Sequence, residues 1–129
     1  MLPMADTQPS FSLAEANALL PTIVPLLEAL RAGWRTARDP SRAATVRRHA
    51  GSNGGGTAGA ELLRAAASGH EHLQAVTELG VMVRDPERGL IDFPGRRGDR
   101  PIFWCWQLGE PAVAWWHDRD QGFADRQPV

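Results

Sequence analysis

His117 is followed by Asp118 and Asp120, and the three stand at the edge of an aromatic stretch that keeps water away. Imidazole nitrogen and carboxylate oxygen can hold a divalent metal, and the same pair can move a proton. His117, Asp118 and Asp120 are therefore the candidate metal ligands. The competing reading is a histidine that ends a strand and hydrogen-bonds a neighbouring carboxylate, which fixes its tautomer. Glu110, after Gly109, sits in a turn, where its carboxylate can accept backbone hydrogen bonds or meet a ligand. Asp92 lies in an apolar run, where an unpaired carboxylate is costly, so Arg126 or Arg100 is its expected partner. Arg126 can anchor the C-terminal tail in the same way or grip an anion with two parallel donors. Cys105 stands among tryptophans, where burial raises a thiol's pKa and blunts it, so it reads as a small core residue. His70 and His72 flank Glu71 on a helix, but residues two apart point to different sides, and this is a solvated face. The glycines of residues 51–59 lack the Lys-Ser/Thr ending of a phosphate loop and read as a linker.

These residues need elements to hold them. Ser12 and Glu15 fit a capping box, so a helix should start there and run over residues 12–37. Leu13, Leu20, Leu27 and Trp34 recur every seven residues, with Ala16, Ile23 and Leu30 three after each of the first three, giving one apolar seam. Pro21 and Pro25 lie off the seam, and a kink is expected near residues 17–21. Residues 38–59 form a basic segment, with a short helix over 41–50, and then a flexible Gly-rich loop. A second helix follows over residues 60–79 and folds back on the first.

Residues 81–117 change to strand periodicity. Val81–Val83 and Leu90–Phe93 flank a Pro/Gly turn, and Ile102–Leu108 with Pro111–His117 form a hairpin around Gly109 and Glu110. With Leu108 opposite Pro111, Trp104 faces Trp115 and Ile102 faces His117, with Trp106 and Val113 on that same side. Phe103, Cys105, Ala114 and Trp116 point to the other side. Glu110 then lies roughly 20 Å from His117 at about 3.3 Å per residue, too far to share an ion within one subunit. Any site at His117 draws on Asp118, Asp120, Asp92 or Arg100, or on a neighbouring chain. Both sheet faces are apolar, so helices should cover one, and a second subunit or the tail of residues 118–129 the other. The expected fold is α+β, one domain over residues 1–129: a long antiparallel helical hairpin on an antiparallel sheet of three to four strands.

Composition narrows the function. Fourteen basic residues, all arginine, nearly cancel 15 acidic ones, a balance that disfavours a protein built to hold nucleic acid. The basic run Arg31, Arg35, Arg38, Arg42, Arg47 and Arg48 does not overturn that. One cysteine excludes an intrachain disulfide framework. No apolar run approaches the roughly 20 residues of a membrane span, and Asp6 stands where a basic leader would be, so a cytoplasmic location is expected. The leading expectation is a non-enzymatic homo-oligomer, a dimer, or partner-binding module. It would associate through Trp104, Trp106, Trp115 and Trp116 and the first helix. The alternative is a metal-binding protein or metal-dependent enzyme centred on His117.

Several blocks in order, Phe11 to Pro21, Gly89 to Pro94, Cys105 to Glu110, Trp116 with His117, and Gly122 and Phe123 with Arg126, resemble an uncharacterised bacterial family, domain of unknown function 2203. The resemblance spans nearly the whole chain except its Gly-rich middle. It implies a small cytoplasmic prokaryotic protein whose recurrent polar positions fall on Asp92, Glu110, His117 and Arg126. It implies no activity.

Overall fold

The computed structural model describes residues 9–41 and 56–129. Helix α1, Leu13–Ala37, starts where the capping box places it: the Glu15 amide donates to Ser12 Oγ at 3.0 Å, and the Ser12 amide donates to Glu15 Oε1 at 2.9 Å. Pro21 and Pro25 are exposed within one uninterrupted helix, while Ala16, Ile23, Leu27 and Leu30 of the seam are buried. Helix α2, Gly56–Glu78, packs along α1 and begins four residues before the expected start, so Gly56–Gly59 is helix rather than loop. Glycine's helical cost of about 1 kcal/mol per residue is small enough for packing against α1 to outweigh it. The expected basic helix lies almost wholly outside the described residues. By length and composition Leu13–Arg38 is apolar enough to cross a membrane. Its seam is nevertheless spent on the core.

The sheet holds five strands, one more than the upper expectation. They run β1 Met82–Asp85, β2 Leu90–Arg97, β3 Arg100–Gln107, β4 Trp115–Asp118 and β5 Gln127–Pro128, all antiparallel and in chain order across the sheet. The β1–β2 hairpin is the expected one. β3 pairs along its whole length with β2, because Gly98 at φ +61° lets the chain reverse between Arg97 and Arg100.

The β3–β4 pairing corrects the expected register by one residue. Cys105 faces Trp115, Trp104 faces Trp116, Phe103 faces His117 and Ile102 faces Asp118. A tight turn does form at Gly109, closed by the Glu110 amide on Gln107 O at 3.0 Å. Pairing does not resume at Pro111, which has no N–H to offer. Instead both backbone groups of Val113 bond the Asn17 side chain of α1: the Val113 amide donates to Oδ1 at 2.8 Å, and Nδ2 donates to Val113 O at 3.2 Å. The strand begins again only at Trp115.

A slip of one residue moves every side chain of β4 to the opposite face. Trp116 joins Trp104, Trp106, Ile91, Phe93 and Ile102 in the core beneath the helices. His117 joins Phe103, Cys105 and Asp92 on the outer face. That face is covered from within the chain: Phe123 and the guanidiniums of Arg119 and Arg126 lie over it, and β5 pairs with β4. Trp104, Trp106 and Trp116 are buried and Trp115 half-buried, so the tryptophans do not form an exposed joining surface.

Candidate metal centre

Three neighbouring strands each supply one group. Asp92 of β2 lies directly opposite Cys105 of β3, and His117 of β4 lies one pair further along the same face. The carboxylate, thiol and imidazole ligand atoms all fall within 4.8 Å of one another. All three are buried, with relative exposures of 2%, 1% and 1%. Among the described residues this is the one grouping of three such side chains.

Hydrogen bonds fix two of the three from behind. His117 Nδ1 sits 2.8 Å from the Asp118 carbonyl, an acceptor, so this nitrogen carries the proton and donates. Nε2 is 3.0 Å from Asp92 Oδ1, so the imidazole meets an acceptor there as well. A lone pair cannot face a lone pair in a buried place, and a cation must lie between Nε2 and Oδ1, either a proton or a metal ion. Arg84 Nε donates to Asp92 Oδ2 at 2.9 Å. The register irregularity between Val83 and Asp85 frees Arg84 from the ladder, in the manner of a bulge that re-aims a side chain.

Cys105 is held as a thiol. Burial, and then the Asp92 charge, push its pKa up to about 12, against a smaller lowering by Arg126. An unassisted thiol of that kind is a poor nucleophile, whereas a bound cation reverses the balance and takes the thiolate. A cavity of about 380 Å³ opens over Asp92 and Cys105, walled by Arg84, Arg119, Asp120 and Phe123 among others.

The other expected site residues are placed elsewhere. Asp118 turns its carboxylate to Arg100 Nη2 at 2.6 Å and meets His117 only through its backbone carbonyl; Asp120 is exposed at the cavity rim. His117, Asp118 and Asp120 therefore do not converge on one point. Asp92 does have a cationic partner, but it is Arg84 rather than Arg100 or Arg126. Glu110 and Arg126 meet each other in a two-pronged ion pair at 2.9 and 2.8 Å. Burial lowers the Arg126 pKa, and the Glu110 hydrogen bond and charge more than reverse this, leaving it raised. Glu110 Oε1 also accepts from the Gln107 amide at 2.8 Å, so this pair ties the tail to the β3 turn.

Sequence reasoning assigned Cys105 to the core and gave no sign that it joins Asp92 and His117. The available signal was Gly98-Asp99 between two apolar runs, a hairpin turn that would have paired β2 with β3 and set Asp92 opposite Cys105.

Residues 10–129 match the sequence model of a family described as an uncharacterized conserved protein, DUF2203. No curated protein and no solved structure matches the chain.

Proposed function

The chain belongs to the DUF2203 family; its description names no chemistry, so the site carries the reading, and we propose that this protein binds a divalent metal ion of the zinc class through Asp92, Cys105 and His117. The carrying observation is the buried convergence of His117 Nε2 and Asp92 Oδ1, 3.0 Å apart, with the Cys105 thiol within 4.8 Å of both. Zinc holds nitrogen and oxygen ligands at about 2.0–2.2 Å, and tetrahedral angles would then set His117 Nε2 and Asp92 Oδ1 roughly 3.3–3.5 Å apart, a few tenths of an ångström from their present spacing. The supports behind the ligands match what metal sites use: the second imidazole nitrogen bonds a backbone carbonyl, and the second carboxylate oxygen bonds a cation. One nitrogen, one oxygen and one sulfur donor suit a borderline-soft ion. Three protein ligands leave a fourth position, and the cavity over Asp92 and Cys105 is where it would open. An ion there would act as a Lewis acid and lower the pKa of a bound water.

The test is elemental analysis of untagged protein, followed by loading with cobalt(II). About one ion per chain, a thiolate-to-cobalt charge-transfer band, and loss of that band in Cys105→Ser would support the reading. A metal-free protein that shows neither uptake nor a thermal shift with zinc or cobalt overturns it.

A further inference from the structure

We infer that residues 123–129 form a strap that swings off the sheet on a hinge at residues 120–122, and that this opening is the way to the buried Asp92 and Cys105, whether or not they hold a metal. Cover is the first argument. Both side chains are at most 2% exposed, and Asp120, Gln121, Gly122 and Phe123 form one wall of the cavity over them. At that exposure nothing much larger than water reaches the thiol unless a wall moves.

Which wall moves follows from how each is held. Arg84, Leu90 and Cys105 stand on paired strands of the sheet. Asp118 is tied to Arg100 at 2.6 Å, and Arg119 donates from Nε to the Ile102 carbonyl at 3.0 Å. Beyond Arg119 no residue is buried and none belongs to the core. The segment's backbone hold is short: β5 pairs over Gln127 and Pro128 alone, the proline has no N–H to give, and the Val129 amide donates to Ala114 O at 2.9 Å. Few buried apolar groups and an exposed ladder mark a segment that opens by itself. Asp120 and Gln121 are exposed and Gly122 has open space where a side chain would stand, which places the hinge there.

Arg126 is the latch. Its guanidinium meets both Glu110 oxygens, at 2.9 and 2.8 Å, and stands 4.7 Å from the Trp115 ring centre and 4.2 Å from that of Phe123. Arg88 holds Phe123 as well, at 4.3 Å. Breaking the ion pair and withdrawing Phe123 frees the strap and leaves the face beneath the helices as it is.

The experiment follows the reaction of Cys105, the chain's one thiol, with DTNB in metal-free full-length protein with chelator present. The parent should label slowly, at a rate nearly flat in low urea, because a local opening exposes little surface. Arg126→Gln should label about tenfold faster through loss of the two-pronged pair, and Phe123→Ala should also label faster. Arg126 lowers the Cys105 pKa, so its removal alone makes the thiol less reactive, and a faster rate reports access. Three results would each overturn the strap: a parent that labels as fast as the urea-unfolded chain, labelling with the full urea dependence of global unfolding, or both variants reacting at the parent rate. None of them bears on the metal reading, which metal uptake decides.

Discussion

Replacing Asp92 by asparagine separates the metal binding proposed for the centre from the centre's contribution to folding. Asp92 is 2% exposed and links two groups, Arg84 Nε at 2.9 Å and His117 Nε2 at 3.0 Å. An asparagine of the same shape can turn its carbonyl to Arg84 and its amide N–H to Nε2. His117 keeps its other proton on the Asp118 carbonyl, so every partner is satisfied without a cation in between. What is lost is charge assistance in the bond to Arg84, about 1 kcal/mol, since that side chain is 41% exposed and stays solvated. Relief of a buried carboxylate's desolvation offsets part of it. Asp92→Asn should thus unfold within about 1 kcal/mol of the parent, whereas Asp92→Ala, which strands the buried His117 Nε2 and leaves a void, should cost roughly 2–4 kcal/mol. Metal affinity should move the other way. Supporting partners of metal ligands are worth about 10- to 100-fold, so losing a ligand should cost Asp92→Asn more than about 100-fold, or about 2.7 kcal/mol. Urea unfolding and equilibrium dialysis with zinc measure the two quantities. Metal affinity within a few-fold of the parent would remove Asp92 from the ligand set, and an Asp92→Asn as unstable as Asp92→Ala would refute the hydrogen-bond argument.

Two further predictions concern the sheet. A side chain at Gly95 would collide with the Trp104 indole and lie 2.8 Å from Phe11 O, displacing Trp104 Nε1 from its 2.7 Å bond to that carbonyl. Gly95→Ala should therefore cost about 2–4 kcal/mol in urea unfolding, and a cost below about 0.5 kcal/mol would show that the indole has another place to go. In metal-free protein the Cys105 pKa is raised from 9.0 to about 12, so the folded state holds that proton more tightly than the unfolded chain. Its stabilising effect is complete below pH 9.0 and is lost as pH rises toward 12, a fall on the order of 4 kcal/mol at most. Urea midpoints across that range should drop in the parent and flatten in Cys105→Ala; parallel curves would mean the thiol is not shielded.

What could be read from the chain in advance was what local chemistry decides. Ser12 and Glu15 are three residues apart and cap α1 whatever the rest does, and the seven-residue seam of α1 is the face that is buried. Strand type was equally legible, and so were the β1–β2 and β3–β4 partnerships, but the β2–β3 pairing and the β3–β4 register were not. Pro94 and Gly95 look like the end of a strand, yet β2 runs through them to Arg97. The proline is tolerated because β1 pairs only as far as Asp92, which leaves that side of β2 as an edge. The Phe11 amide fills it, donating to Pro94 O at 2.7 Å. Nothing near Pro94 in sequence announces that contact.

The register of β4 had the same kind of cause and a larger consequence. A two-residue turn at Gly109 satisfies every local rule, and it would set His117 beside Ile102 and Trp104 beneath the helices. Asn17, 96 residues away, captures Val113 and delays the strand, and His117 emerges on the outer face beside Cys105 and Asp92. The centre thus depends on an amide side chain on α1 that touches none of its members. That dependence bears on why the centre exists. Enclosing a carboxylate, an imidazole and a thiol costs several kcal/mol more than filling the same space with aliphatic side chains. The sheet already has an apolar face for stability, so a second face lined by Asp92, Cys105 and His117, with Arg126 clamped on Glu110 to hold its cover, is an arrangement that packing alone would not select.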